Sequence, residues 1–350
     1  MIGIDLFAGG GGMSLGATLA GIDVKIAVEI DPHAAMTYAH NHKGVQLHNG
    51  DIRKFRRIEL PSKGEQIILF GGPPCQGFST SNQRTRSAEN ENNWLFQEYL
   101  RVVRMYSPDW VVFENVRGIL ETEKGLFVER ILQRLHRLGY TLAHGVLNAV
   151  DFGVPQNRSR FFIVGSRHGI RIRLPHASSQ TQITVRDALV DLPNLNNGWR
   201  EDLMPYSCKP QWGYAKEMRR HLTQSHNHLV TRSAPIIIER YRHVPRGGNW
   251  EDIPRRLMRN YRDRNRCHTG IYHRLDPDKP SIVLGNFRKN MLIHPIEHRG
   301  LSVREAARLQ SFPDWFEFKG SIGFQQQQVG NAVPPLLAQR VFEAILIEAF

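Results

Sequence analysis

Four consecutive glycines, Gly9–Gly12, separate an apolar strand pattern at Ile2–Phe7 from a helical pattern at Met13–Ala20. Glycine permits positive φ and lets backbone or ligand approach closely. The helix behind it presents free N–H groups at its first turn. A strand that passes through such a turn straight into a helix opens a βαβ unit, whose next strand lies parallel to the first. The pattern continues along the chain. Strands are expected at Val24–Glu29, Ile67–Phe70, Trp110–Glu114, Leu142–Asn148 and Arg160–Gly165, and helices at Pro32–His40, Leu95–Tyr106 and Leu126–Leu138. The strands are short, continuous apolar runs, as a sheet covered on both faces requires. Residues 1 to about 166 therefore predict an open, doubly wound α/β sheet.

From about Ser166 to Asn290 the periodicity weakens and Pro, Gly, His and Arg become frequent, which predicts an irregular second lobe. Helices return at Val303–Ser311 and Leu336–Phe350, and Gln325–Gln328 reads as a loop. The chain, at 350 residues, has room for one large α/β domain and a smaller one. Its net charge is +13, unevenly placed. Residues 167–300 hold 24 Lys and Arg against 12 Asp and Glu, while the remainder holds 22 against 21. A basic excess confined to one region points to a polyanion, because Lys and Arg displace counterions condensed on phosphate. A merely solvated basic surface is the alternative.

No apolar run approaches the roughly 18 residues of a membrane span, and the N-terminus lacks the basic flank of a signal peptide. Both point to a soluble, cytoplasmic protein. Cys75, Cys208 and Cys267 are too few, and odd in number, for a disulfide framework.

Four segments could carry chemistry. The glycine turn is neither a phosphate-binding P-loop, since no Gly-Lys-Ser/Thr follows, nor of dinucleotide spacing. It implies a nucleotide-like cofactor, or only a tight turn. Glu29 ends the second strand, where a carboxylate can bind ribose hydroxyls, and Asp51 lies where the third strand should end. Alone, each acid reads as a cap; together they outline a cofactor crevice. In the second segment, Gly71-Gly72-Pro73-Pro74-Cys75-Gln76-Gly77-Phe78-Ser79, a strand delivers a cysteine onto a rigid loop at the carboxyl edge of the sheet. A thiolate there needs a positive environment. Third, Glu114 ends the next strand, where a carboxyl group could donate a proton or hydrogen bond to a ring nitrogen. An ordinary strand-end carboxylate is the plainer reading. Fourth, Arg158 and Arg160 alternate at the opening of a strand and should share one cationic face. His221, His226, His228, His268 and His273 fit no metal-binding spacing and read as polar surface or DNA-facing residues, so no metal is expected.

The order of these segments resembles the DNA cytosine-5 methyltransferase family. DLFAGGGG is similar to its cofactor loop and GGPPCQGFS to its nucleophile loop. ENV, QNRSR, Arg304–Asp314 and Gly330–Pro335 follow in the family's order. The resemblance implies a Rossmann-like, S-adenosylmethionine-dependent fold, with S-adenosylhomocysteine as product. It implies Cys75 as nucleophile, Glu114 on cytosine N3 and the amino group, and Arg158 and Arg160 orienting the base and the catalytic groups. Phe7, Gly9, Gly12, Glu29, Asp51, Pro73 and Leu95 would line the methyl donor's pocket, joined by Asn331 and Val333 of the late motif. The catalytic domain would span residues 1–167, completed by about 325–350. Residues 168–324 would form the target-recognition domain, which includes Arg304–Pro313. The implied partner is double-stranded DNA, bound by a monomer with the cytosine flipped out, in a restriction-modification or anti-phage system. Departures are Asn90 and Asn92, where the family often has an Asp and an Arg, and a loose match at Pro280–Val283. Rival readings are an RNA cytosine methyltransferase, an inactive DNA-binding regulator and a thiol hydrolase. The RNA branch's Cys-Phe-Thr signature is absent from this sequence.

Overall fold

The computed structural model describes residues 1–60, 64–74, 95–177, 182–209, 213–259, 261, 270–289 and 291–349. The chain divides into two units. One comprises Met1–Phe152, Ser159–Ser178 and Val333–Phe350, and the other Gly153–Arg158 and Ser179–Ala332.

The first unit contains β1 (Ile2–Leu6), α1 (Gly12–Leu19), β2 (Asp23–Glu29), α2 (Pro32–Asn41), β3 (Gln46–Asn49), β4 (Ile67–Gly71), α3 (Phe96–Tyr106), β5 (Trp110–Val116), α4 (Leu126–Arg137), β6 (Thr141–Asn148) and β7 (Ser159–Ser166). The sheet runs in the order β3-β2-β1-β4-β5-β7-β6. The first five strands are parallel, and β7 lies antiparallel to both β5 and β6. The strand order reverses between β1 and β4. In such sheets the crevice outside the carboxyl ends at this switch point is where ligands bind.

All five residues of β1 are buried, which explains its apolar sequence around the single acid Asp5. One face of the sheet is covered by α3 and α4. Their Tyr99, Val103, Phe127 and Ile131 pack with Leu69, Val111, Phe113 and Ile163. Against the opposite pleat lie α1 and the last helix, Pro335–Ala349, whose Phe342 ring meets Phe70 at 4.9 Å between centroids. Gly16 of α1 permits this approach, because a Cβ there would stand 2.5 Å from the Cβ of Ala338. Asp31 caps α2 by accepting from the N–H groups of His33 and Ala34, with Pro32 at the first helical position.

The second unit contains α5 (Val185–Leu189), β8 (Met204–Pro205), α6 (Gly213–Arg219), β9 (Gln224–Ser225), α7 (Pro235–His243), α8 (Val303–Leu309) and α9 (Ile322–Asn331); the chain's last helix, α10, belongs to the first unit. Capping boxes at Thr184/Asp187 and Ser302/Glu305 start α5 and α8. Gln325–Gln328, expected as a loop, lie within α9. Glutamine is a good helix former, and these side chains are held internally: Gln325 donates to Gly320 O at 2.9 Å and Gln328 to Lys319 O at 3.1 Å.

Arginines of the second unit form its interior. Arg308, fully buried, donates to Asp191 at 2.5 Å and to Asp314 at 2.6 Å. Arg304 donates to Phe316 O at 2.7 Å and His226 O at 2.8 Å. Arg299 forks onto Glu305 at 2.7 and 2.9 Å. Burial alone would raise the Glu305 carboxyl, but Arg299 and His294 more than reverse this, to about 2. Arg240 donates to the Tyr272 hydroxyl and Arg274 to the carbonyls of Tyr241, Val244 and His294, within a small core that includes Trp250 and Ile293. The basic excess is therefore only partly a surface charge. Arg246, Arg255, Arg256 and Arg259 are exposed, whereas Arg240, Arg274 and Arg299 are consumed inside. His228, expected at a polar surface, is also buried and bonds Ser225 Oγ at 2.9 Å.

Candidate active site

The loop after β1 turns back through positive φ at Phe7 (59°), Gly9 (56°) and Gly11 (97°). Gly11 is required sterically as well, because a Cβ would stand 2.2 Å from Nε2 of His42. Glu29, at the end of β2, clamps this loop: its carboxylate accepts from Gly9 N and from Asp31 N, both at 2.7 Å. Burial pushes its carboxyl up, against the backbone bonds that lower it. A carboxylate has about four acceptor positions, so beside its backbone N–H donors Glu29 keeps capacity for a ligand hydroxyl. Nothing lies within 4 Å of the position a Cβ on Gly9 would take, and the neighbouring Ile30 is 64 % exposed. An acceptor carboxylate, open glycine backbone and a bare aliphatic side chain together fit a nucleoside. Gly12 begins α1. Asp51 follows β3 and accepts from Arg53 N at 2.9 Å, capping a short 3-10 turn.

Beneath the loop, Ser14 donates to Asp5 at 2.6 Å and bonds the Tyr38 hydroxyl at 2.7 Å. Burial pushes the Asp5 carboxyl up to about 8, only partly offset by the Ser14 bond. The folded chain therefore holds a proton that an unfolded Asp, with an ordinary value of 3.8, has released. Stability attributable to Asp5 falls as pH rises through that interval and levels off above it. Asp5→Asn, uncharged at every pH, should lose this slope. Its stability relative to the native chain should grow from pH 5 to pH 8, with a limit of roughly 6 kcal/mol over the whole interval. Parallel denaturation curves across that range contradict the assignment.

At the carboxyl ends of β4 and β5 the second cluster forms. Glu114, on β5, is 7 % exposed, and its Oε1 pairs with Nε of Arg160 on β7 at 3.0 Å. Burial lowers the Arg160 pKa, and the Glu114 charge opposes that shift. The adjacent Asn115 donates from Nδ2 to Pro73 O at 3.1 Å and accepts from Val116 N at 2.9 Å. It thereby ties β5 to the Pro-Pro loop. A Cβ on Gly72 would stand 2.4 Å from Glu114 Oε2. Pro73 is buried, and Leu95 stands at the start of α3. Cys75, Asn90 and Asn92 lie outside the described residues.

Arg158 does not share a strand face with Arg160, as their alternation predicted. β7 begins at Ser159, and the Arg158 guanidinium is drawn to backbone carbonyls of the second unit, Gly330 at 2.8 Å and Ala332 at 2.9 Å. Asn331, between those two carbonyls, is exposed, while Val333 is buried. Gly72 and Asn115 were not singled out by sequence reasoning. The paired glycines before Pro73 were the available signal, but only the β4–β5 pairing shows what they make room for.

Gly72→Ala is expected to fold, because the obstructing atom ends a side chain, and to push Glu114 aside. A displacement of about 1 Å should lower kcat about 100-fold with little change in unfolding midpoint. Native kcat in this variant contradicts the placement of Glu114.

The family model for C-5 cytosine-specific DNA methylase matches residues 1–346. The chain belongs to that family. This C-5 cytosine-specific DNA methylase is 39 % identical over 348 residues to the Type II methyltransferase M1.HphI of Haemophilus parahaemolyticus, covering 98 % of this chain and 86 % of the relative. It is 34 % identical over 362 residues to the Type II methyltransferase M.XorII of Xanthomonas oryzae, covering 97 % and 83 %. Among solved structures, a DNA modification methyltransferase encoded within a prophage (E. coli) superposes with a TM-score of 0.79 at 27 % identity, over 100 % of this chain and 99 % of that one. The methylase is thus an enzyme of the S-adenosylmethionine-dependent α/β fold that acts on cytosine C5 in DNA. Among the described residues no His, Cys, Asp and Glu cluster could hold a metal, and no helix is long and apolar enough to cross a membrane.

Proposed function

We propose that this methylase works through a covalent bond between Cys75 and C6 of a cytosine turned out of duplex DNA. The observation that carries the reading is the buried Glu114–Arg160 pair, held at 3.0 Å beside Gly72 and Pro73, which lead directly into Cys75. The Cys75 thiolate adds to C6 and electron density moves to C5. Glu114, carrying a proton when the base is bound, donates to N3 and accepts from the amino group, which stabilises the negative charge that develops on the ring. Arg160 holds Glu114 in place and compensates the carboxylate left when that proton passes to N3. S-adenosylmethionine, when bound, supplies the electrophilic methyl group. Phe7, Gly9, Gly12, Glu29, Asp51, Pro73 and Leu95 would hold it, with Asn331 and Val333. A solvent water acting as base takes the C5 proton, the C5–H electron pair restores the C5–C6 double bond, and the Cys75–C6 bond breaks to free the thiolate.

A base stacked within a duplex cannot meet this sulfur, so flipping precedes chemistry and costs a few kcal/mol. Exposed cations such as Arg246, Arg255, Arg256 and Arg259 offset that cost by contacting phosphate. The second unit is assigned to target recognition. The enzyme acts as a monomer in the cytoplasm, without a metal, and protects host DNA in a restriction-modification or anti-phage system. Incubation with S-adenosylmethionine and unmethylated duplex DNA, followed by bisulfite sequencing, tests this reading. Protected cytosines confined to one short recurrent motif are expected. Unprotected duplex alongside methylated tRNA would overturn it.

A further inference from the structure

Arg158 is 1 % exposed, and two of its hydrogen bonds go to the end of a helix. Nη2 donates to Gly330 O at 2.8 Å and to Ala332 O at 2.9 Å, and Nη1 reaches Leu284 O at 3.5 Å. Gly330 and Ala332 belong to the last turn of α9 and its C-cap, where carbonyls lack helical partners and a cation is favoured by the helix dipole. Gly330 is fixed from a second side, because a Cβ there would stand 2.1 Å from Gly285 O. The residue between the two short acceptors is Asn331, whose own side chain is exposed. A buried guanidinium therefore pins the backbone on both sides of one exposed amide.

We propose that Arg158 is a positioning residue for Asn331 that sets affinity for the methyl donor, in place of the base-orienting role the resemblance implied. This rests on the assignment of Asn331 to the cofactor made above. Removing the fork leaves the carbonyls of Gly330 and Ala332 poorly partnered, lets the turn reorient, and loosens the amide before any chemistry begins. The cost falls on binding.

The test is steady-state methylation of duplex DNA with S-adenosylmethionine varied, using Arg158→Lys, Gly330→Ala, Asn331→Ala and the Arg158→Lys/Asn331→Ala double variant. Lysine keeps the charge but not the fork geometry. The expected result for Arg158→Lys is a KM for S-adenosylmethionine raised about tenfold, the scale of one charged hydrogen bond, with kcat at saturation within about twofold. Calorimetric binding of S-adenosylhomocysteine should weaken by the same factor. Gly330→Ala should move KM in the same direction. The double variant should bind no more weakly than Asn331→Ala alone, because the two residues act in series. Additive losses, a fall in kcat at unchanged KM, or unaltered kinetics in Arg158→Lys would each overturn the proposal. So would failure of both Arg158→Lys and Gly330→Ala to fold, since the fork would then serve the unit as a whole. If Asn331→Ala leaves KM unchanged, the cofactor assignment of Asn331 falls and the proposal with it. If Asn331→Ala raises KM and Arg158→Lys does not, only the role of Arg158 falls.

Discussion

Serine in place of Cys75 lowers methyl transfer by at least about four orders of magnitude, the scale of removing a nucleophile from a unit that works together. Binding of duplex DNA and of the methyl donor changes little. A hydroxyl has nearly the same volume as a thiol but is far less ionised at neutral pH and a poorer nucleophile toward C6. The residues assigned to the methyl donor and the exposed arginines are untouched by the change. Single-turnover methylation and equilibrium DNA binding, measured side by side, separate the two effects. Substantial residual turnover would mean that another group attacks the ring.

Arg308→Met destabilises the protein by about 3–5 kcal/mol, the cost of leaving buried charges without their partner. Asp191 and Asp314 are each 1 % exposed or less and accept from Arg308 at 2.5 and 2.6 Å. Burial would raise the Asp314 carboxyl, and the Arg308 guanidinium more than reverses this. With that cation gone, the nearest described cations are Arg304 for Asp314 and Arg219 for Asp191, each at 3.8 Å, too far for a hydrogen bond. Adding Asp191→Asn and Asp314→Asn should recover part of the loss, because the two acids are then neutral, while Arg304 and Arg219, each 3.8 Å from one of them, keep their charge. Equilibrium denaturation reads both outcomes. An unchanged midpoint in Arg308→Met would show that these pairs contribute little.

The first unit was legible because its signals are local. Continuous apolar runs mark covered strands, and Gly9–Gly12 mark the turn whatever the rest of the chain does. Glu29 was found for the same reason, as the acid that ends a strand. The insertion of β7 between β5 and β6 was not legible, since strand order is set by contacts distant in sequence. Arg158 and Arg160 looked equivalent, and only the start of β7 between them separates a guanidinium on helix carbonyls from one on Glu114. In the second unit, charge counting located the basic region but could not divide it. Arg240, Arg274 and Arg299 contribute the same charge as Arg255 and Arg256, yet burial places the first three inside and leaves the others to solvent. The glutamine run misled because polar residues favour loops on average, while Gln325 and Gln328, themselves buried in α9, donate to backbone carbonyls just ahead of that helix.

The most direct measurement offers the enzyme duplex DNA carrying 5-fluorocytosine in its target motif, together with S-adenosylmethionine. Fluorine at C5 cannot leave as a proton does, so an adduct formed at C6 persists. The account predicts a protein–DNA complex that survives denaturing electrophoresis, maps to the peptide containing Cys75 and is absent in Cys75→Ser. Normal methylation of unfluorinated duplex with no trapped complex would contradict covalent catalysis by Cys75.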